Sequence, residues 1–215
     1  MFDQAGRAFK DRILGAVARM VPLSISANMV TVLSLPLGLA SAAAATQGWW
    51  TIGLFLFAAN RVLDGLDGLI AHQRNSQTDF GAYLDIMVDF AVYAAIPTGI
   101  WYGVAGSTIT PPVSVLPLIV LLSVFYMNAA SWMYLAATLE KRRHGSTEHR
   151  RTSLVMPSGL VEGGETILFY SLFFLLPQRY ALLFTVMACA TAVGVLQRLI
   201  WAWRNIQNSI ESRSD

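Results

Sequence analysis

Six stretches of this chain, about residues 28–46, 49–71, 81–103, 113–138, 160–176 and 180–203, are apolar. Each is close to the length that crosses a bilayer as a helix, roughly 20 residues. Only 13% of the residues are charged and 55% are hydrophobic, whereas a typical soluble domain carries about 25% charged residues. That balance argues against a soluble core. The expected fold is an all-α integral membrane domain spanning 1–215, with six transmembrane helices over 28–203. Ahead of them, residues 1–22 interleave Phe2, Phe9, Ile13, Leu14 and Val17 with Arg7, Lys10, Arg12 and Arg19. Such a segment suits an amphipathic helix lying in the headgroup layer, held by apolar burial and by attraction to anionic membrane lipids. It is unlike a cleavable signal peptide, in which a short basic stretch precedes the apolar run.

The basic residues orient these spans. Arg7, Lys10, Arg12 and Arg19 precede the first, Lys141, Arg142, Arg143, Arg150 and Arg151 follow the fourth, and Arg204 and Arg213 follow the last. The opposite loops hold only Arg179. By the positive-inside rule both termini and the 139–158 loop are cytoplasmic, and an even number of spans agrees. The net charge of +2 is too small to argue for a nucleic-acid partner. The single Cys189 falls in the apolar last span, where packing is the expected role.

One stretch breaks the apolar pattern. It runs Asp64-x-x-Asp67-Gly68-x-x-Ala71-His72, then eight residues, then Gly81-x-x-x-Asp85-x-x-x-Asp89. Residues three or four apart share a helix face, so Asp64 pairs with Asp67 and Asp85 with Asp89. Spans two and three are antiparallel, so the pairs converge across the hairpin on the cytoplasmic side. Clustered carboxylates in an apolar chain need compensating charge, and hard oxygen donors suit a divalent cation. Gly68, Ala71 and Gly81 add little bulk, so a flat base and a diphosphate can approach the backbone.

The pattern resembles the signature of the CDP-alcohol phosphatidyltransferases, D-x2-D-G-x2-A-R-x8-G-x3-D-x3-D, at every signature position but one. The resemblance implies a membrane enzyme of phospholipid synthesis that moves the phosphatidyl group of a CDP-lipid such as CDP-diacylglycerol to a small alcohol, releasing CMP. It implies two bound Mg2+ or Mn2+ ions and a homodimer. By position, Asp64, Asp67 and Asp85 would bind metal, and Asp89 would be the base, with a ligand role as well. The bacterial inner membrane is the expected location.

The departure is His72, where the family has Arg and a nucleotide contact is expected; histidine is shorter, and Arg74 is the nearest substitute. Asn28 and Thr31 resemble the family's N-x-x-T at the start of the first span, where the Thr faces the nucleotide, although a helix start with a buried Thr explains them equally well. Glu162 and Glu165 open span five either as helix-dipole partners or as groups near the acceptor. Arg61, one turn before Asp64, is a snorkelling anchor or a charge partner of the motif. For the acceptor, Pro97 lies eight residues after Asp89 as in bacterial phosphatidylserine synthases, while Phe90 replaces the Lys of phosphatidylglycerophosphate synthases. A small amino or polyol alcohol is favoured. Rival readings are a divalent-cation carrier, a non-catalytic metal-binding protein and a polyprenyl transferase. The first predicts acids at the midplane of several spans, and the last predicts the aspartate motif twice.

Overall fold

A computed structural model describes residues 14–107, 113–145, 161 and 163–207. The expected interfacial helix over 1–22 therefore lies largely outside the described residues, as do Glu162 and the basic positions Arg150 and Arg151. Every regular element described is helical: α1 (14–20), α2 (Ala27–Thr46), α3 (Trp50–Gln73), α4 (Asp79–Ser107), α5 (Leu116–Gly145), α6 (Gly163–Leu175) and α7 (Tyr180–Ala202). A 3-10 turn, Pro177–Arg179, precedes α7, and a π-helical turn, Trp203–Gln207, follows it.

Among the described residues four helices are long and apolar enough to cross a membrane: Ala27–Thr46, Asp79–Gly106, Leu116–Arg142 and Pro177–Ile206. Two of the six expected spans fall short by that measure. Helix α3 has the length, with 24 residues, but carries Arg61, Asp64 and Asp67. Helix α6 is apolar, but only 13 residues of it are described. The packing has the character of a chain in lipid. Buried positions include the polar Thr31, Ser34, Ser41, Asn60, Arg61 and Asp67, while Leu33, Ile52, Phe55 and Phe90 point outward. Cys189, expected to pack inside, is exposed on α7.

The chain divides into two compact units, Met1–Ser114 with Ile167–Tyr180, and Val115–Thr166 with Ala181–Asp215. In the second, the buried Arg198 of α7 donates to Ser131 Oγ (2.6 Å) and to Asn128 Oδ1 (3.1 Å) on α5. The first unit is built around α2. Its N-cap is Ser26, whose hydroxyl accepts from Met29 N at 3.2 Å, satisfying a donor the helix cannot. Apart from Val30, the buried face of α2 is small: Ala27, Thr31, Ser34, Gly38, Ser41, Ala42, Ala44 and Ala45. Small faces let helix backbones approach, and in lipid that contact replaces the hydrophobic drive available in water. Helix α4 meets this face with Gly99 and Gly103, where an added Cβ would collide with the carbonyl oxygens of Ala42 and Ala45. Val88, Val92, Ile96, Ile100 and Val104 continue the buried stripe of α4 at four-residue spacing.

Gly48, at φ +73, closes the turn from α2 into α3 in the left-handed region that glycine tolerates. Cross-helix hydrogen bonds then fix the pair: Ser41 Oγ donates to Gly53 O (2.7 Å) and Asn60 Nδ2 to Ser34 O (2.8 Å). Tyr170 of α6 is fully buried, with its ring 5.6 Å from that of Phe57 and 5.4 Å from that of Tyr93.

This packing makes a specific demand. Replacing Gly103 by Leu drives a side chain into the backbone of α2, and overpacking of this kind costs about 1–3 kcal/mol. Gly106 has open space around its Cβ direction. In detergent, Gly103→Leu should lower the thermal unfolding midpoint by several degrees, whereas Gly106→Leu should leave it near that of the parent. Equal midpoints for the two variants would contradict the close α2–α4 contact.

Candidate active site

The site lies where the start of α2, the second half of α3 and the start of α4 meet, all within the first unit. Helix α3 ends at Arg74, the chain turns through Asn75 at φ +49, and α4 begins after Thr78. Thr78 caps α4, its hydroxyl accepting from Gly81 N at 3.0 Å. The hairpin therefore has a defined geometry at the point where the two halves of the motif face each other.

Between the three helices is a cavity of about 250 Å³. From α2 it is lined by Ala27, Asn28 and Thr31, and from α3 by Asp67, Gly68 and Ala71. The turn contributes Ser76, Gln77 and Thr78, and α4 contributes Gly81, Ala82 and Asp85. Among the described residues, nothing beyond its neighbours along α3 stands within 4 Å of where a Cβ on Gly68 would be, so this glycine opens onto the cavity. A Cβ on Gly81 would come within 2.8 Å of Asn28 Oδ1, so Gly81 lets α4 close on α2 as well as forming the wall.

The four aspartates come together, but not in the pairs their spacing suggests. Asp67 and Asp85, from different helices, line the cavity. Asp64 and Asp89, also from different helices, turn to Arg61. Its Nη2 donates to Asp89 Oδ1 at 2.8 Å, and its Nη1 lies 3.6 Å from Asp64 Oδ2. Asp67 Oδ2 accepts from the Thr31 hydroxyl at 2.5 Å. Across the hairpin, Asp64 interacts with both Asp85 and Asp89, and Asp67 interacts with Asp85. Among the described residues no three His, Cys, Asp or Glu side chains are arranged to hold a metal ion. Arg61 offsets part of the charge of Asp64 and Asp89, and the neutral Thr31 hydroxyl hydrogen-bonds Asp67. The donor chemistry nevertheless fits a hard divalent cation, because four carboxylates from two helices face each other beside an open cavity.

The remaining sequence candidates are placed as follows. Asn28 and Thr31 both reach the cavity, Thr31 through its bond to Asp67. His72 is exposed and is not part of the cavity lining. Arg74 holds the segment before α2 instead, donating to Ile25 O (2.6 Å), Val21 O (2.7 Å) and Pro22 O (3.3 Å). Its neighbour Gln73 donates to Gly15 O at 3.2 Å, so the end of α3 also fastens α1. Ala18 packs there with Ala27, Val30, Leu66 and Ile70. Glu165 is exposed in the first turn of α6, in the second unit. Asn60 and Tyr93, which anchor Arg61, escaped the sequence reading. Each stands four residues from a motif aspartate, so the same helical spacing would have found them.

Comparison with known proteins agrees with this geometry. The inner membrane protein YnjF of Escherichia coli is 32% identical over 157 residues, covering 73% of each chain. A CDP-diacylglycerol–serine O-phosphatidyltransferase of Helicobacter pylori is 32% identical over 85 residues, 40% of this chain and 36% of that protein. The fold is shared with the phosphatidylinositol phosphate synthase of Mycobacterium tuberculosis. Its structure with CDP-DAG bound gives a TM-score of 0.71 at 21% identity, covering 89% of this chain and 94% of that one. Its complex with manganese and citrate gives 0.68 at 20% identity, covering 90% and 88%. Residues 24–196, which include every helix that lines the cavity, match the sequence profile of the CDP-alcohol phosphatidyltransferases, and the chain belongs to that family.

Proposed function

We propose that this protein transfers the phosphatidyl group of CDP-diacylglycerol to the hydroxyl of a small alcohol, releasing CMP. The observation that carries this reading is the cavity walled by Asp67, Asp85 and the unobstructed Gly68, with Asp64 and Asp89 one helix turn away. The cavity suits the CDP moiety, with Asn28, Gly68, Ala71 and Gly81 against the nucleotide and Ser76 and Gln77 at its rim. The acceptor oxygen attacks the phosphorus that bears the lipid, the bond from that phosphorus to the CMP oxygen breaks, and the acceptor's proton passes to Asp89. Mg2+ or Mn2+, two ions held by Asp64, Asp67 and Asp85 with Asp89 at the margin, would neutralise the diphosphate and the departing CMP. The manganese complex of the mycobacterial synthase supports a metal at such a site. The Helicobacter serine transferase supports an amino alcohol as acceptor, in keeping with Pro97 and Phe90.

We further infer six membrane crossings, in which α3 and α6 join the four longer apolar helices. The segment before α2 lies along the headgroups, and both termini and the α3–α4 hairpin face the cytoplasm of a bacterium. The basic residues that flank α5 and α7 support this orientation, and a homodimer follows the family. A cysteine placed at Ser76, in a variant lacking Cys189, should react with an impermeant thiol reagent in inside-out vesicles and not in intact cells. The opposite labelling would reverse the topology.

The activity is tested by incubating purified protein with CDP-diacylglycerol, a divalent cation and a panel of alcohols while measuring CMP. Release is expected with at least one alcohol, and chelator should abolish it. Asp89→Asn should cut turnover by about 10²–10⁴-fold with nucleotide binding largely kept, as for loss of a general base. Asp64→Asn should lose metal binding together with activity. CMP release that persists in chelator would dismiss the metal reading, and equal loss of binding in both variants would make Asp89 a ligand first.

Gly68→Leu fills the cavity from a position where the parent has nothing to displace. It should retain the thermal stability of the parent while the affinity for CDP-diacylglycerol falls at least about tenfold, since the nucleotide and the new side chain compete for one volume. Unchanged affinity would place the nucleotide elsewhere.

A further inference from the structure

Arg61 is the most heavily constrained charged group in the first unit. Its side chain is 7% exposed, and it lies one turn before Asp64 on the face of α3 that meets α4. Nε donates to Asn60 Oδ1 at 2.9 Å, Nη1 to the Tyr93 hydroxyl at 2.8 Å and Nη2 to Asp89 Oδ1 at 2.8 Å. The guanidinium carbon lies 5.8 Å from the centroid of the Phe57 ring and 5.1 Å from that of Tyr93. These partners are themselves held. Asn60 is fully buried and donates to Ser34 O, while the Tyr93 carbonyl accepts from Tyr170 Oη at 2.6 Å. A snorkelling side chain reaches for the membrane surface. This one is bonded inward to Asn60, Tyr93 and Asp89, which holds its charge beside Asp89.

A fixed positive charge acts unequally on four carboxylates. It is hydrogen-bonded to Asp89 and close to Asp64, whereas Asp85 feels it only at longer range and lines the cavity with Asp67. A carboxylate already satisfied by a guanidinium is a poorer ligand for a cation than one that is not. One oxygen of Asp89 is engaged by Arg61, and the carboxylate also stands beside Asp64 and the Tyr93 hydroxyl.

We propose that Arg61 is a positioning residue that divides the four aspartates by role. It holds Asp89 in place and out of tight cation ligation, as the group that takes the acceptor's proton, and it leaves Asp67 and Asp85 as the stronger cation ligands. The proposal rests on Asp89 being the base. It also predicts effects of opposite sign. Removing the guanidinium should strengthen cation binding, because a repelling charge is gone and Asp89 becomes free to ligate, while the same change weakens turnover. A residue that only braces the helices would weaken both when replaced.

The test uses the full-length protein in detergent, with binding of Mn2+ alone followed by the EPR signal of the free ion and turnover followed by CMP release. Arg61→Gln should bind Mn2+ roughly tenfold or more tightly than the parent, as expected for loss of one unit charge a few ångströms from the site. Its kcat should fall by about 10²-fold or more, with KM for CDP-diacylglycerol changed much less. Arg61→Lys, which keeps the charge but not the fork, should return Mn2+ affinity to near the parent value and recover part of kcat. Tyr93→Phe removes one guanidinium partner without removing the charge. It should shift kcat in the same direction by less, and it serves as the readout if Arg61→Gln does not fold.

Weaker Mn2+ binding in Arg61→Gln, alongside a lowered melting temperature and lowered turnover, would overturn the proposal in favour of a brace, as would unchanged kcat. In an Asp89→Asn background, Arg61→Gln should cost no further turnover, and a further loss would show that Arg61 acts elsewhere and overturn the positioning role. If Asp89→Asn alone leaves turnover intact, the base assignment fails. The Mn2+ measurement then decides the charge division by itself, with tightening supporting it and weakening overturning it.

Discussion

Carboxylates in an apolar helical interior need compensating groups around them, and the first unit of this protein is organised around that requirement. Arg61 meets Asp89 and Asp64, and Thr31 meets Asp67. Each of these partners needs a fixed position of its own, and the neighbouring side chains supply it. Asn60 ties Arg61 to α3 and α2, Tyr93 ties it to α4, and Tyr170 brings α6 against Tyr93. The polar interior is thus a single connected network rather than isolated bonds, which is the condition under which buried polarity specifies one arrangement. The apolar exterior has the complementary task of facing lipid.

The small-residue seam between α2 and α4 makes the network possible. Where Gly99 and Gly103 meet the carbonyls of Ala42 and Ala45, the helix axes are drawn together at the end far from the aspartates. At the other end, Asn28 against Gly81 sets the spacing, and the cavity occupies what lies between. Fold and site are therefore linked through helix separation. Glycines at one end of the pair fix the backbone distance that determines whether Asp67 and Asp85 share a cavity at the other.

Much of this was legible in the residues. The motif spacing placed the four aspartates on facing helices, and the small residues Gly68, Ala71 and Gly81 between them line the cavity. The family membership bears out the resemblance on which the enzyme reading rested. The regrouping of the aspartates was not legible. Periodicity says which residues share a face of one helix, but not the rotation of that helix against its neighbour. Asp67 thus joins Asp85 rather than Asp64 at the cavity, for a reason that lies in the packing of three helices. Arg74 shows a second limit. A basic residue beside a missing motif arginine looked like its replacement, yet the carbonyls of Val21, Pro22 and Ile25, whose direction is invisible in sequence, are what it serves. Charge on α3 and the short described length of α6 likewise separate hydropathic runs from helices that meet a strict spanning criterion.

The Arg74 clamp has a consequence for how anything reaches the cavity. By tying the hairpin to the carbonyls ahead of α2, it closes the gap between the first turn of α2 and the end of α3. The α2–α4 side is closed by Asn28 against Gly81. Gly68 and the turn residues Ser76 and Gln77, which also line the cavity, are exposed. An amphiphilic ligand that entered past them would lead with its polar end and leave its tails outside. Arg74 thus holds one wall of the cavity in place before any ligand is bound.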